Sequence, residues 1–272
     1  KMAVPRYGVI TLRHVLAHIS GVPDWEVRGW VSTRRTTSPE ALDALLGQLA
    51  TYPLLGDPGK TDYVYANTNF DILGDVVAHV TGRSFEDYVQ SEILDPLGMT
   101  HSSFLLAKID PANLSAVHWM DDSGKVVTNL VPPEYDQVHT PSAGLLSDVD
   151  EMSLWMLVNL QRGELDGHRI LSPTSYDAMW TAQTPADWGI GGIFQEWGLG
   201  WELATVGGHR FAWWGGLMMG GTSAMVLAPD DGVGVFVIAN ASPSASYDTP
   251  WYAVDLAPVL IYELLGISAP AE

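Results

Sequence analysis

Tyr63-Val64-Tyr65-Ala66-Asn67-Thr68-Asn69-Phe70 places phenols and carboxamides side by side at the mouth of an apolar, helix-periodic run. Ile72, Leu73, Val76, Val77 and Val80 follow at helical spacing, and Thr81-Gly82 closes the run, so an amphipathic helix is expected from about Phe70. Tyr65 and Asn67 stand two residues apart, and one short turn can aim both side chains at the same point. A phenol there can move a proton, and the carboxamide can hold a substrate carbonyl or a neighbouring ammonium. The same residues also read as a capped helix start, with Asn67 or Asn69 as N-cap and the tyrosines half buried.

On the N-terminal side, Leu54 to Asp62 is a Gly/Pro loop leading into this stretch. Further back, Thr11 is the expected N-cap of a helix carrying Val15, Leu16 and Ile19, which stops at Ser20-Gly21-Val22-Pro23. His14 and His18 lie four apart on one helical face. No third ligand and no His-Glu-x-x-His pattern accompanies them, so hydrogen-bonded structural histidines are expected and not a metal pair. Residues 24–38 read as a polar loop, and Ser38-Pro39 as the N-cap and first position of a helix running through Leu49.

On the C-terminal side, Ser84 opens a helix that runs to Leu94 and ends in Asp95-Pro96-Leu97-Gly98-Met99. Residues 107–140 read as irregular, with a turn at Asp121-Asp122-Ser123-Gly124. Ser147 is the expected N-cap of a helix to Leu160, a short helix follows from Pro173, and residues 183–200 form a Trp/Gly-rich connection. Strands are expected only afterwards: Trp201 to Leu203, Arg210 to Trp214, Thr222 to Leu227 and Val233 to Ile238. The last two are joined through Pro229-Asp230-Asp231-Gly232, and a helix closes the chain from Val254 to Leu265. Ala224 to Leu227 and Val235 to Ile238 are apolar on both faces, so both faces need covering. A few strands and one helix cover them thinly, which points to strands and a helix outside this sequence.

The 272 residues are enough for one large or two modest domains. A formal net charge of −19, arising from 32 Asp+Glu against 13 Lys+Arg, repels nucleic acid and anionic membranes and argues against both as partners. The absence of cysteine excludes disulfides, thiolate catalysis and cysteine metal sites. No apolar run reaches the ~18 residues that a membrane span needs. The tryptophans concentrated from Trp180 to Trp214 are expected in the core rather than on a ligand platform. The start at Lys1, without a signal-peptide pattern, reads as a trimmed or partial chain.

Four segments together carry a family resemblance. They are Ile10-Thr11-Leu12-Arg13-His14-Val15-Leu16-Ala17-His18-Ile19-Ser20-Gly21, Tyr65-Ala66-Asn67 with its helix, Ile93 to Met99, and the closing hairpin. In this order they resemble the serine β-lactamase and penicillin-binding-protein-like hydrolases of the class C type, closest in motif to family VIII carboxylesterases. The resemblance runs from about Thr11 to Leu265. It implies an α+β fold, an α/β sandwich in which an antiparallel sheet with flanking helices (201–272) joins a mostly helical domain (11–200).

In that family a Ser-x-x-Lys supplies the nucleophile and its base, a Tyr-x-Asn a second proton carrier, and a strand with Lys/His-Thr-Gly the far wall. The resemblance makes Tyr65 the candidate acid/base and Asn67 a binder of substrate amide or catalytic lysine. The third motif falls on Trp214-Gly215-Gly216, and Leu217 would offer a backbone N–H to the oxyanion. Trp214 stands where the family carries Lys or His. Without that cation a substrate carboxylate loses its clamp, so an ester or another uncharged acyl group is expected.

The first motif is missing. No Ser in the chain has Lys three positions later, and only ten residues precede Thr11, so the N-terminal strands and the nucleophile helix are expected to be absent. Gly-x-Ser-x-Gly does not occur either. The expectation is a serine hydrolase acting on a small-molecule ester or amide through an acyl-serine, with no cofactor or metal. A missing N-terminal segment of the same protein would complete it. A β-lactamase, a D-amino-acid peptidase and a non-catalytic ligand-binding homologue are the alternatives.

Overall fold

The computed structural model describes residues 2–4, 8–24, 41–49, 51–121, 123–129, 139–186, 195–218, 220–242 and 253–268. The expected Ser38-Pro39 helix start, most of the polar loop at 24–38 and part of the 183–200 connection lie outside them. A small hairpin, β1 (Met2–Val4) with β2 (Gly8–Ile10), leads into α1 (Leu12–Leu16). Thr11 caps α1, its hydroxyl accepting the His14 N–H while the His14 ring returns to the Thr11 N–H. Then come α2 (Ala41–Leu49), α3 (Asn67–Thr81), α4 (Phe85–Val89) and a π-helical turn at Gln90–Leu94. Ile10, Val15, Val22, Leu49 and Ile72 form the core between α1, α2 and α3.

Residues 107–140 are more regular than their composition implies. β3 (Val117–Met120) and β4 (Val126–Asn129) form a hairpin, and its turn is held by the Asp121 carboxylate accepting the N–H groups of Ser123 and Lys125. Next are α5 (Val149–Leu160), the two-residue strands β5 (Glu164–Leu165) and β6 (His168–Arg169), and α6 (Pro173–Met179). Asp148 rather than Ser147 caps α5, accepting the Glu151 N–H, while the Ser147 hydroxyl pairs with Ser102 at 2.7 Å.

The main sheet has six strands in the order β12-β11-β10-β9-β8-β7, antiparallel throughout. It starts earlier than residue 201, with β7 (Thr184–Pro185) and β8 (Glu196–Trp197). β9 (Glu202–Val206), β10 (His209–Met218), β11 (Gly221–Ala228) and β12 (Val233–Ala239) follow. β13 (Ala241–Ser242) pairs in parallel with β3 outside the main sheet, and α7 (Ala253–Leu265) is the last described element. Between β9 and β10, Gly207 and Gly208 both have positive φ (61° and 91°), which a two-residue hairpin with right-handed strand twist requires.

Each face of the sheet carries a packed core, while β12 is mostly half-buried and its Ile238 is exposed. Phe211, Trp213, Ala224 and Val226 pack against Val254, Ala257 and Ile261 of α7. On the other face, Ala212, Met225 and Leu227 pack with Tyr176 and Trp180 and with Trp155 and Met156 of α5. Trp180, Trp197, Trp201 and Trp213 are buried, as expected of core tryptophans. This is a mixed α+β architecture, with an antiparallel sheet flanked by helices.

Candidate active site

α3 begins three residues before Phe70, and its N-cap is Ala66, which has no side chain able to cap it. Asp24 supplies the cap from 43 residues away, its carboxylate accepting the Asn67 N–H and the Thr68 hydroxyl, both at 3.2 Å. A carboxylate at a helix N-terminus also meets the positive end of the helix dipole. Neither Asn67 nor Asn69 is the N-cap, because each carboxamide is engaged elsewhere. The Tyr65 hydroxyl donates to Asn67 Oδ1 at 2.8 Å, and Asn69 Oδ1 accepts the Ser20 hydroxyl at 2.7 Å.

Beneath the turn lies His18, fully buried. Burial takes its pKa down to about 3, and the ring is neutral. His14 caps α1 instead of sharing a ligand site with it. The His18 ring sits 4.7 Å from those of Tyr65 and Trp197, 5.5 Å from Phe70 and 5.7 Å from Tyr63. Trp197 in turn stands at 89° to Trp214, centroids 5.0 Å apart, and its indole N–H donates to the Leu16 carbonyl at 2.8 Å.

Trp214 completes the wall facing Tyr65, with ring centroids 5.4 Å apart. Tyr65, Asn67, Trp214, Gly215, Gly216 and Leu217 all line one cleft of about 2380 Å³. The sequence-designated residues therefore come together, although about 150 residues separate the two groups.

The sheet register shows what β10 offers this cleft. β9 pairs with β10 only as far as Trp213, opposite Glu202, so residues 214–218 have no strand on that edge among the described residues. Val206 and His209 flank the two-residue turn and therefore form a hydrogen-bonded pair. Alternation from there points the N–H and C=O groups of odd-numbered β10 residues toward the β9 side. Even-numbered residues point toward β11, which pairs with β10 from Ala212–Leu227 to Met218–Gly221. Beyond Trp213, the N–H groups of Gly215 and Leu217 are thus directed to the open edge.

The glycines differ. A Cβ on Gly215 would meet the Trp213 ring and Val254, each at 2.9 Å, on the α7 side. A Cβ on Gly216 would meet only the Ser223 hydroxyl at 3.5 Å, an ordinary contact.

Two features escaped sequence reasoning. Asp24 follows a Gly-x-Pro turn with no periodic or motif signal, and its role depends on a contact that the chain makes only after folding. Glu202, in β9, is buried behind Trp213. Its Oε2 accepts the Trp213 indole N–H at 2.8 Å, and its Oε1 has no partner among the described residues. Burial raises its pKa to about 7, partly offset by that hydrogen bond.

No Lys or Arg among the described residues lines the cleft, and His18 is neutral. Two Asp/Glu/His clusters, Asp43–Asp75–His79 and His101–Asp148–Glu151, have spacing that can hold a cation. Both are accounted for by ion pairs and helix capping, and neither contains a sequence-designated site residue.

The beta-lactamase family model matches residues 1–258. Protein flp of Staphylococcus aureus is 28% identical over 152 residues, which are 56% of this chain and 29% of that protein. The octameric penicillin-binding protein homologue from Pyrococcus abyssi superposes with a TM-score of 0.76 at 24% identity, over 98% of this chain and 60% of that one. D-amino acid amidase from Ochrobactrum anthropi SV3, complexed with D-phenylalanine, superposes with a TM-score of 0.74 at 21% identity, over 94% of this chain and 72% of that one. The matched stretch thus covers under a third of flp, one of the curated relatives. On the family match, the paired Tyr65-x-Asn67 turn and the shared fold, the chain belongs to the beta-lactamase family, within the serine β-lactamase and penicillin-binding-protein-like superfamily.

Proposed function

We propose that this chain forms the proton-handling and substrate-binding half of a serine carboxylesterase site of the class C type, nearest to family VIII carboxylesterases. In this reading, a Ser-x-x-Lys segment outside these residues supplies the nucleophile. The carrying observation is the Tyr65–Asn67 turn, which faces Trp214 across a cleft into which the open edge of β10 directs the Gly215 and Leu217 N–H groups.

The nucleophilic serine oxygen attacks the ester carbonyl carbon, and its proton passes to the Tyr65 oxygen as phenolate. The lysine of the same segment stabilises that phenolate by its charge, which the described residues of the cleft do not provide. Negative charge on the former carbonyl oxygen is held by the Leu217 N–H together with the nucleophile's own N–H. Collapse expels the alkoxide, which takes the proton from Tyr65 and leaves the acyl-serine. Water then attacks, Tyr65 takes its proton and returns it to the serine, and the acid departs. Asn67 holds Tyr65 and the lysine in register. Trp214 gives the acyl group an apolar wall where a cation would have clamped a carboxylate, which favours esters over penicillins and peptides.

The cleft's dimensions support a further segment as partner. Its volume of about 2380 Å³ exceeds the roughly 300–1,000 Å³ of ordinary ligand pockets. β12 is also an edge strand, and Ile238 on it is exposed.

The test is hydrolysis of p-nitrophenyl butyrate. The chain alone is expected to match the buffer rate. With a Ser-x-x-Lys segment supplied, the rate is expected to rise, and Tyr65→Phe to lower it by about 10²–10⁴-fold. Turnover by the chain alone that Tyr65→Phe abolishes would overturn the division of the site. The second reading, a ligand-binding homologue without turnover, draws support from the missing Ser-x-x-Lys. It predicts saturable binding of an ester with no product even when the segment is supplied.

A further inference from the structure

We propose that His18 is the positioning residue of the site, a neutral acceptor that brackets Tyr65 from both sides and fixes its ring beside Trp214. Three hydrogen bonds and a ring contact with Tyr65 converge on it. The His18 carbonyl accepts the Val64 N–H at 3.0 Å, and its Nδ1 accepts the Ala66 N–H at 3.1 Å. The backbone on either side of Tyr65 is therefore tied to one residue. Nδ1 also receives the Asn69 carboxamide at 3.0 Å, and the imidazole lies 4.7 Å from the Tyr65 ring.

The protonation state follows from these partners. A backbone N–H can only donate, so Nδ1 is an acceptor and the proton sits on Nε2. Asn69 agrees, because its Oδ1 takes the Ser20 hydroxyl and leaves its NH₂ facing Nδ1. Nε2–H has no conventional partner among the described residues and is enclosed by the rings of Tyr63, Tyr65, Phe70 and Trp197. Of those four only Tyr63 and Tyr65 titrate, and no carboxylate or cation is among them. A proton on Nδ1 would set a donor against two donors, so the bracket exists only with neutral imidazole. His18 also holds a left-handed backbone (φ 54°), uncommon for a residue other than glycine.

The importance of the bracket rests on Tyr65 being the acid/base, but its test reads Tyr65 itself and not turnover, so a failed esterase assay leaves it standing. In protein carrying [ζ-¹³C]tyrosine, the Tyr65 resonance is identified by its loss in Tyr65→Phe. His18→Phe keeps an aromatic ring but no acceptor, and is expected to move the Tyr65 resonance to the position of a solvent-exposed tyrosine. Tyr176 and Tyr262, which sit in separate core clusters, should not move and report that the fold persists. His18→Asn keeps an acceptor and tolerates the left-handed backbone, and is expected to leave Tyr65 near its wild-type position. An unmoved Tyr65 in His18→Phe, or an equal displacement in His18→Asn, would overturn the proposal. If His18→Phe does not fold, the wild-type imidazole ¹⁵N shifts decide. A fixed Nε2–H tautomer from pH 5 to 8 upholds the proposal, and an Nδ1–H tautomer or a titration in that range overturns it.

Discussion

Glu202 and His18 are both buried ionisable groups, and their burial has opposite consequences for stability. Glu202 has a folded pKa of about 7 against an ordinary 4.5. The unfolded chain therefore releases its proton first, and the stability that Glu202 allows below pH 4.5 is lost as pH rises through about 7, by roughly 3 kcal/mol. Glu202→Gln is expected to flatten this alkaline loss, so urea unfolding at pH 8 should show the variant gaining on wild type relative to pH 4.5. An unchanged pH slope would show that the carboxyl is hydrated in solution. His18, lowered from 6.5 to about 3, contributes stability that is complete above pH 6.5 and is lost as pH falls through 3, by roughly 5 kcal/mol. Melting temperatures followed from pH 7 to pH 4 should fall accordingly, and the fall should be smaller in His18→Asn. Tyr65 and Asn67 were legible as a pair because two residues of separation suffice for their hydrogen bond. The bonds that His18 and Asp24 make to the same turn span more than forty residues and leave no local pattern.

Among the elements, α1, α3, α5 and α7 were legible from apolar periodicity, with the expected N-cap also found at α1, whereas the N-caps of α3 and α5 fall on Ala66 and Asp148. The β11–β12 hairpin was legible because Asp231-Gly232 separates two β-rich runs. β3 and β4 were not. Each has four half-buried or exposed residues without strict alternation, and β3 is completed by β13, more than a hundred residues later. The placement of Trp214 opposite Tyr65 came only from the family resemblance, since nothing in Trp214-Gly215-Gly216 itself names its partner. Two substitutions test element-level packing. Asp24→Ala removes the remote cap of α3 and is expected to cost about 1–2 kcal/mol in urea unfolding, with Asp24→Asn losing less. Gly215→Ala forces a methyl between Trp213 and Val254 and is expected to cost about 1–3 kcal/mol. Gly216→Ala should unfold like wild type, because its methyl meets only Ser223 at ordinary distance. Equal costs at 215 and 216 would contradict the assignment of their faces.

For the molecule as a whole, fold and family are settled by the match over residues 1–258 and by superposition on penicillin-binding-protein homologues. Chemistry at the site depends on where the nucleophile resides. The described residues bring a phenol, a carboxamide, an indole and an open strand edge to one cleft, and no Lys or Arg among them lines it. Intact mass after incubation with a fluorophosphonate, which labels activated serines, reads the nucleophile's location directly. The division of the site predicts no adduct on this chain and one adduct on a Ser-x-x-Lys segment supplied with it. A stoichiometric adduct on one of this chain's own serines, Ser20, Ser142 or Ser223 among them, would contradict it.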